Sequence, residues 1–279
     1  MGEAGVIRPG AGEVIGDSPA RRVEVLADHD ALHATWSRYG PRRDGADLHV
    51  HRRHTDVFYV LAGELGVRLG PAGDLIAVRA GTLVCVPPLV VHGFRNPGDA
   101  ELRYLNLHAP GVGFADYLRA MRDGRTVDFD QEPPPADGGR PPAEAAIGGT
   151  AFATERDGVR VALLADVEAV AIAELSAEAG LPAAPAHVHA RHGESCYVLA
   201  GEPVFTLGGR EVRAEPGSWV HVPPGVPHAV ASPAAARLLS VHAPACGFGA
   251  FLRALDGGDE DGAAARSGFD QAPVTPGAA

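Results

Sequence analysis

The chain has 279 residues, a formal charge of −11 and a pI near 5.6. That length fits two domains of ordinary size, each able to bury a core, and the acidic balance argues against a nucleic-acid or anionic-membrane surface. Every basic residue is arginine, which excludes Schiff-base chemistry on the protein and a P-loop lysine.

The opening stretch MGEAGVIRPGAGEV carries no apolar core of signal-peptide length. No run in the chain approaches the roughly 18 apolar residues of a membrane-crossing helix. Cys85, Cys196 and Cys246 are odd in number and have no paired spacing, which suits a reducing compartment. A cytoplasmic protein is the expectation, with no nucleic-acid or membrane partner.

In chain order, the first half reads as short strands between Gly and Pro turns, as in DVFYVLAGELGVRLG and LIAVRAGTLVCVP. Phe114, Tyr117, Leu118 and Met121 then fall at helical spacing and predict a short amphipathic helix. QEPPPADGGRPPAEAAIGG at 131–149 is rich in Pro and Gly and reads as a linker. The second half repeats the strand pattern in SCYVLAGEPVFTLGG and EVRAEPGSWVHVP, and the helix in Phe248, Phe251, Leu252 and Leu255. Each helix is expected to cap its own barrel or the joint between barrels. The expected division is an N-terminal domain over 1–131, a linker over 132–147, a C-terminal domain over 148–256 and a flexible tail over 257–279.

The two halves are copies. HVHRRHTDVFYVLAG at 49–63 returns as HVHARHGESCYVLAG at 187–201, GTLVCVPPLVVHGFRN at 81–96 as GSWVHVPPGVPHAVAS at 217–232, and Phe129-Asp130-Gln131 as Phe269-Asp270-Gln271. The shift is 138 residues for the first motif and 136 for the second, so the loop around Gly70–Gly73 should be longer than that at Gly208-Gly209. A whole-domain duplication sets the architecture before any propensity argument. The repeated Phe-Asp-Gln inside the tail hints that the tail docks.

Alternate residues of a strand point the same way, so His49 and His51 can aim both rings at one point, as can His187 and His189. A strand reversal brings Asp56 or Glu194 to that point, and His92 or His228 supplies a fourth donor. Three imidazoles and a carboxylate suit a divalent transition metal: Fe, Mn, Ni or Co, with zinc not excluded, and up to two ions per chain. Cys196 reads as a small buried hydrophobe. Phe58, Phe94 and Val230 should face inward as a mostly apolar lining that suits an aromatic or aliphatic ligand better than a small dianion. His54 and His192 read as surface or supporting groups, and His108 and His242 as shared packing.

These motifs resemble the cupin pattern, His-x-His, four residues, an acid, six residues, Gly, followed by Gly, five residues, Pro-x-Gly, two residues, His, three residues, Asn. The first half departs from it at Asp56 and Leu89, where glutamate and glycine are usual; the second departs at Ser232, where asparagine is usual. The resemblance covers nearly the whole chain and marks a bicupin. It implies an all-β fold of two tandem antiparallel jelly-roll barrels, each followed by a short helix. It also implies metal inside each barrel, held by His49, His51, Asp56 and His92 and by His187, His189, Glu194 and His228. Known bicupins include quercetin 2,3-dioxygenases, oxalate decarboxylases and unassigned binding proteins. The expectation is therefore a metal-dependent dioxygenase for a small aromatic or enolic substrate, with Glu194 catalytic and the second site leading, because Glu194 and Gly225 keep the pattern. A non-catalytic metal or small-molecule binder and an oxalate-type decarboxylase are the alternatives. The two barrels can pair as two monomers would, so a homodimer is an option and not a requirement.

Overall fold

A computed structural model describes residues 3–181, 185–257 and 268–274. They divide into two units, Gly12–Gly149 and residues 1–11 with 150–279. The chain is mostly strand, with antiparallel sheets throughout and two helices. No helix among the described residues is long and apolar enough to cross a membrane.

The unit over Gly12–Gly149 has a seven-stranded sheet. Its strands, in spatial order, are Ala146–Ile147, Leu83–Val86, Thr55–Ala62, Leu102–Ala109, Leu32–Tyr39, Arg21–His29 and Glu13–Ser18. A three-stranded sheet of Leu75–Arg79, Glu64–Leu69 and His92–Arg95 accompanies it. Phe58, Val60, Leu65, Val67, Val84 and Tyr104 pack into one buried cluster. Alternation explains the choice: Phe58 and Val60 are two apart and share a face. The helix α1, Phe114–Arg122, lays Ala115 and Leu118 on Ile15, Val23 and Val25, so it caps its own barrel.

The second unit repeats this plan. Its seven-stranded sheet runs Gly5–Ile7, Trp219–Val222, Gly193–Ala200, Ala236–Ala243, Val170–Ala177, Val159–Val167 and Phe152–Arg156. A five-stranded sheet adds Arg210–Arg213, Val204–Leu207, His228–Ala231, His187–His189 and Gln271–Pro273. The helix α2, Phe248–Asp256, packs Phe248, Phe251 and Leu252 against Leu163, Ala171 and Phe269.

The repeated motif glycines have a physical reason. Gly63 and Gly201 both sit at φ +78°, and a Cβ there would lie within 2.4 Å of Glu101 O or 2.3 Å of Ala235 O. Only glycine serves such a turn. The length difference falls where the spacing placed it. Five residues join Glu64–Leu69 to Leu75–Arg79, whereas Gly208 and Gly209, both with positive φ, close a two-residue hairpin between Leu207 and Arg210.

Three segments differ from the sequence expectation. The N-terminal strand Gly5–Ile7, expected with the first half, pairs with Trp219–Val222 in the second unit, Val6 opposite Val220. Ala146–Ile147, at the end of the expected linker, is an edge strand on Leu83–Val86. Each covers a strand edge that would otherwise be open. In the expected flexible tail, residues 258–267 and 275–279 lie outside the described residues. Phe269 is buried, and Gln271–Pro273 pairs with His187–His189, so the repeated Phe-Asp-Gln does dock.

Candidate metal centres

Strand register brings the histidines together. His49 and His92 face each other and exchange both backbone hydrogen bonds at 2.9 Å; His187 and His228 are likewise paired across neighbouring strands. Asp56 lies opposite both Val86 and His108 on the strand Thr55–Ala62, and Glu194 opposite Val222 and His242. In each barrel one donor atom from each of the four side chains lies within 4.8 Å of the others. All eight sequence-derived candidates are thus brought into two groups of four.

In the first group, His49 Nε2 is 3.2 Å from His51 Nε2, and Asp56 Oδ2 is 3.2 Å from His92 Nε2 and 3.7 Å from His51 Nε2. The Nδ1–H of each histidine donates to a backbone carbonyl: His49 to Asp47 at 2.6 Å, His51 to Asp130 at 2.5 Å, His92 to Val90 at 2.9 Å. That orients the rings and leaves their three Nε2 atoms converging with the carboxylate. Burial, then His92 and His51, pushes His49 down to about 3. Burial opposes the charge on Asp56, but His108, His51 and His92 hold it well below the usual carboxylate range. Neutral imidazole and ionised carboxylate are the forms a divalent ion needs.

The second group is more open. Glu194 Oε2 is 3.2 Å from His189 Nε2, 3.1 Å from His228 Nε2 and 4.0 Å from His187 Nε2. His187 donates to Pro185 O at 3.1 Å and His228 to Val226 O at 3.0 Å, while the buried His189 Nδ1 has no hydrogen-bond partner among the described residues. Burial pushes His187 down to about 4. Burial opposes a proton on His228, but contact with Glu194 raises it above the ordinary value. Glu194 itself is held well below its ordinary value by His242, His189 and His228 against burial. Two of three rings are braced here, against three of three in the first barrel. In both groups the chemistry of the donor set fits a divalent transition metal.

Behind each group runs a chain of hydrogen bonds that sequence reasoning missed. In the first barrel His54 Nδ1–H donates to Asp130 at 2.8 Å, His54 Nε2 lies 2.8 Å from His108 Nδ1, and His108 Nε2–H donates to Asn106 Oδ1 at 3.1 Å. The Asn106 amide then donates to Asp56 Oδ1 at 2.5 Å. In the second, His192 Nδ1–H donates to Asp270 at 2.6 Å, His242 Nδ1 is 3.0 Å from His192 Nε2, and the Ser240 hydroxyl is 3.1 Å from His242 Nε2 and 3.2 Å from Glu194 Oε1. His108 and His242, expected as packing, are links in this chain. So are His54 and His192, expected at the surface or as supporting groups: both are buried, in the supporting role. The repeat of Phe-Asp-Gln was the available signal for Asp130 and Asp270; Asn106 and Ser240 differ between copies and left none. Cys196 is buried, with Sγ 3.7 Å from Glu194 Oε1, and burial and Glu194 push its thiol well up.

A cavity of about 220 Å³ reaches His49, His51 and Asp56. Its wall includes the aromatic side chains Tyr39, Phe94, Tyr104, Phe114 and Tyr117, but also Arg21, Arg43, Thr35, Ser37 and Asn106. The mostly apolar lining expected from sequence is therefore wrong for this barrel. Phe58 lies in the core cluster, 1% exposed, while Arg21, Thr35 and Ser37 come from Arg21–His29 and Leu32–Tyr39, strands the motif analysis did not use. The Arg21 guanidinium lies over the Tyr39 ring, 5.5 Å from its centroid. Arg21 and Arg43 have no carboxylate partner among the described residues. Burial and Tyr39 push the Tyr104 hydroxyl well up, so it stays a donor.

The family described as "Cupin domain" matches residues 35–108 and 175–242, just over half of the chain. Among curated proteins no match is found. Solved structures share the fold at low identity. AerE from Microcystis aeruginosa superposes with a TM-score of 0.59 at 16% identity, covering 85% of this chain and 98% of that one. Salicylate 1,2-dioxygenase from Pseudaminobacter salicylatoxidans gives 0.62 at 16%, covering 86% and 83%. Oxalate decarboxylase from Lactobacillus farciminis, in a formate complex, gives 0.59 at 13%, covering 86% of each. With a matched cupin segment in each unit and a four-donor group inside each barrel, the chain belongs to the cupin family and is a bicupin.

Proposed function

We propose that this bicupin is a metal-dependent dioxygenase of a small aromatic or enolic substrate, and that the substrate sits in the first barrel. The observation that carries this reading is the 220 Å³ cavity that touches His49, His51 and Asp56 and is walled by aromatic rings. His49, His51, Asp56 and His92 would hold the ion, with His187, His189, Glu194 and His228 holding a second. When bound, such an ion supplies Lewis acidity and redox reactivity toward dioxygen. The protein side chains do the rest. Phe94 and Tyr104 pack on a flat substrate. Arg21 offers a fixed fork to a carboxylate or an enolate oxygen. The Asn106 amide holds Asp56 Oδ1 and so keeps Oδ2 turned to the histidines. A carboxylate held well below its ordinary range carries charge better than it accepts protons, so Asp56 and Glu194 act as anionic ligands. Glu194, the catalytic carboxylate of the sequence reading, takes that role in the second barrel.

The salicylate 1,2-dioxygenase fold, seen with gentisate bound, makes hydroxybenzoates the first compounds to test. The polar wall with Arg21 supports a second reading, decarboxylation of a small acid. Oxygen uptake and carbon dioxide release by protein loaded with Fe, Mn, Ni or Co, on salicylate, gentisate, a flavonol and oxalate, separate the two. Oxygen uptake that falls about tenfold in kcat/KM on Arg21→Val supports the dioxygenase. Carbon dioxide without oxygen uptake supports the decarboxylase. No turnover by fully metallated protein leaves a binding protein.

A further inference from the structure

The second barrel holds a larger cavity, of about 470 Å³. Small-molecule sites run from about 300 to 1,000 Å³ and are lined mainly by apolar groups. Val159, Leu175, Ala177, Pro203, Val230 and Leu238 make its wall. The only charges lining it, among the described residues, are Arg156 and Asp157, which pair with each other at 3.4 Å. The Ser232 hydroxyl in its wall already donates to Ala234 O at 2.7 Å.

Strand register makes this cavity the counterpart of the polar one. Arg21 lies opposite Tyr39 in the first barrel, and Val159 opposite Ala177 in the second. Ser37 lies opposite Tyr104, and Leu175 opposite Leu238. At each of these positions the duplication kept the backbone and exchanged a polar or charged side chain for an aliphatic one. The loss of Tyr39 and Tyr104 bulk enlarges the space, and the loss of Arg21 removes its charge. A carboxylate there would give up its hydration with only Arg156, already paired with Asp157, to meet it, whereas a neutral apolar molecule would gain contact without that desolvation cost.

We propose that the second barrel carries a separate binding site for a neutral, apolar small molecule. The site needs neither metal nor turnover, so it stands or falls apart from the dioxygenase reading. N-phenyl-1-naphthylamine, a neutral fluorescent probe, should bind metal-free protein at one equivalent per chain. Decanol should displace it at least ten times more effectively than decanoate. Val159→Arg, which restores the charge of the first barrel, and Ala177→Phe, which fills the space, should each weaken probe binding at least tenfold. Ala177→Val, a milder filling change, should give an intermediate loss, and circular dichroism checks that all three variants fold. The proposal is overturned if the probe does not bind, if folded Ala177→Phe binds it as wild type does, or if decanoate competes as well as decanol. It is also overturned if the chain is a dimer that Val159→Arg splits, since a second copy would then be the occupant.

Discussion

The two barrels carry matching four-donor groups, three histidines and a carboxylate, yet differ in what surrounds them. All four residues of the first group are buried, three of its rings are braced by carbonyls, and a polar, arginine-bearing cavity reaches it. The second is partly open, with one ring unbraced and an aliphatic cavity in the barrel. Under the proposed function, with the substrate in the first barrel, ligand identity and pocket chemistry rank the two sites in opposite orders. Glu194 and Gly225 match the family pattern better than Asp56 and Leu89, but the polar pocket with a cationic anchor is on the Asp56 side. Duplication preserves what the backbone imposes and releases what the wall positions specify.

The sharpest way to break this comparison is to neutralise one carboxylate at a time. Asp56→Asn should lower turnover ten- to a hundredfold, at about 1.4 kcal/mol per tenfold loss, and remove about one equivalent of metal. Glu194→Gln should remove about one equivalent but cost turnover less. Steady-state kinetics with metal analysis decides; a larger loss in Glu194→Gln would move the active centre to the second barrel.

The docked aspartates come next. Asp270 accepts the backbone N–H of Arg191 as well as the His192 ring, and Asp130 accepts those of Arg52 and Arg53 at 3.0 and 2.8 Å. Replacing either by alanine leaves buried donors unpaired, at a cost of about 1–3 kcal/mol. Chemical denaturation should show that loss for both. Metal affinity should fall more in Asp130→Ala, because the same segment braces His51 Nδ1, whereas His189 has no such brace among the described residues. Equal metal affinities in the two variants would refute the bracing argument.

Acid offers a graded test. Burial leads in lowering His54, His187 and His192 to about 4 and His49 and His242 to about 3, from an ordinary 6.5. Between 6.5 and those values the unfolded chain takes up protons that the folded chain refuses. Stability of the metal-free protein is therefore full above pH 6.5 and declines as the pH falls toward 4. A melting temperature that stays flat from pH 7.5 to 4.5 would contradict neutral buried rings.

The smallest expected effect is at Leu89, which takes φ +68° where Gly225 takes +83°. Both N–H groups donate 2.7 Å bonds to the inner histidine of their barrel, Leu89 to His51 O and Gly225 to His189 O. A left-handed non-glycine residue costs roughly 1–2 kcal/mol, partly offset by the entropy glycine loses on folding. Leu89→Gly should raise stability by up to about 1 kcal/mol, read from the denaturation midpoint. Destabilisation would mean that the half-exposed Leu89 side chain makes contacts worth more than the strain.

Much of the architecture was written in local spacing. His49 and His51 share a strand face because the side-chain period is two, and Phe114, Tyr117, Leu118 and Met121 share a helix face because its period is 3.6. The glycines at 63 and 201 announce left-handed turns, and the repeat extends each reading to the other half. None of these inferences needs a partner far away in sequence. The cavity walls, the Asp–His–His chains and the N-terminal strand do. Arg21 reaches the cavity because its strand pairs with Leu32–Tyr39, which in turn pairs with Leu102–Ala109. Asp130 lies 76 residues from His54 and Asp270 lies 78 from His192. Gly5–Ile7 finds its place more than 200 residues downstream, against Trp219–Val222. Such pairings depend on which edges remain open and which rings remain unbonded once the barrels have closed, and those are properties of the folded chain and not of any window of its sequence.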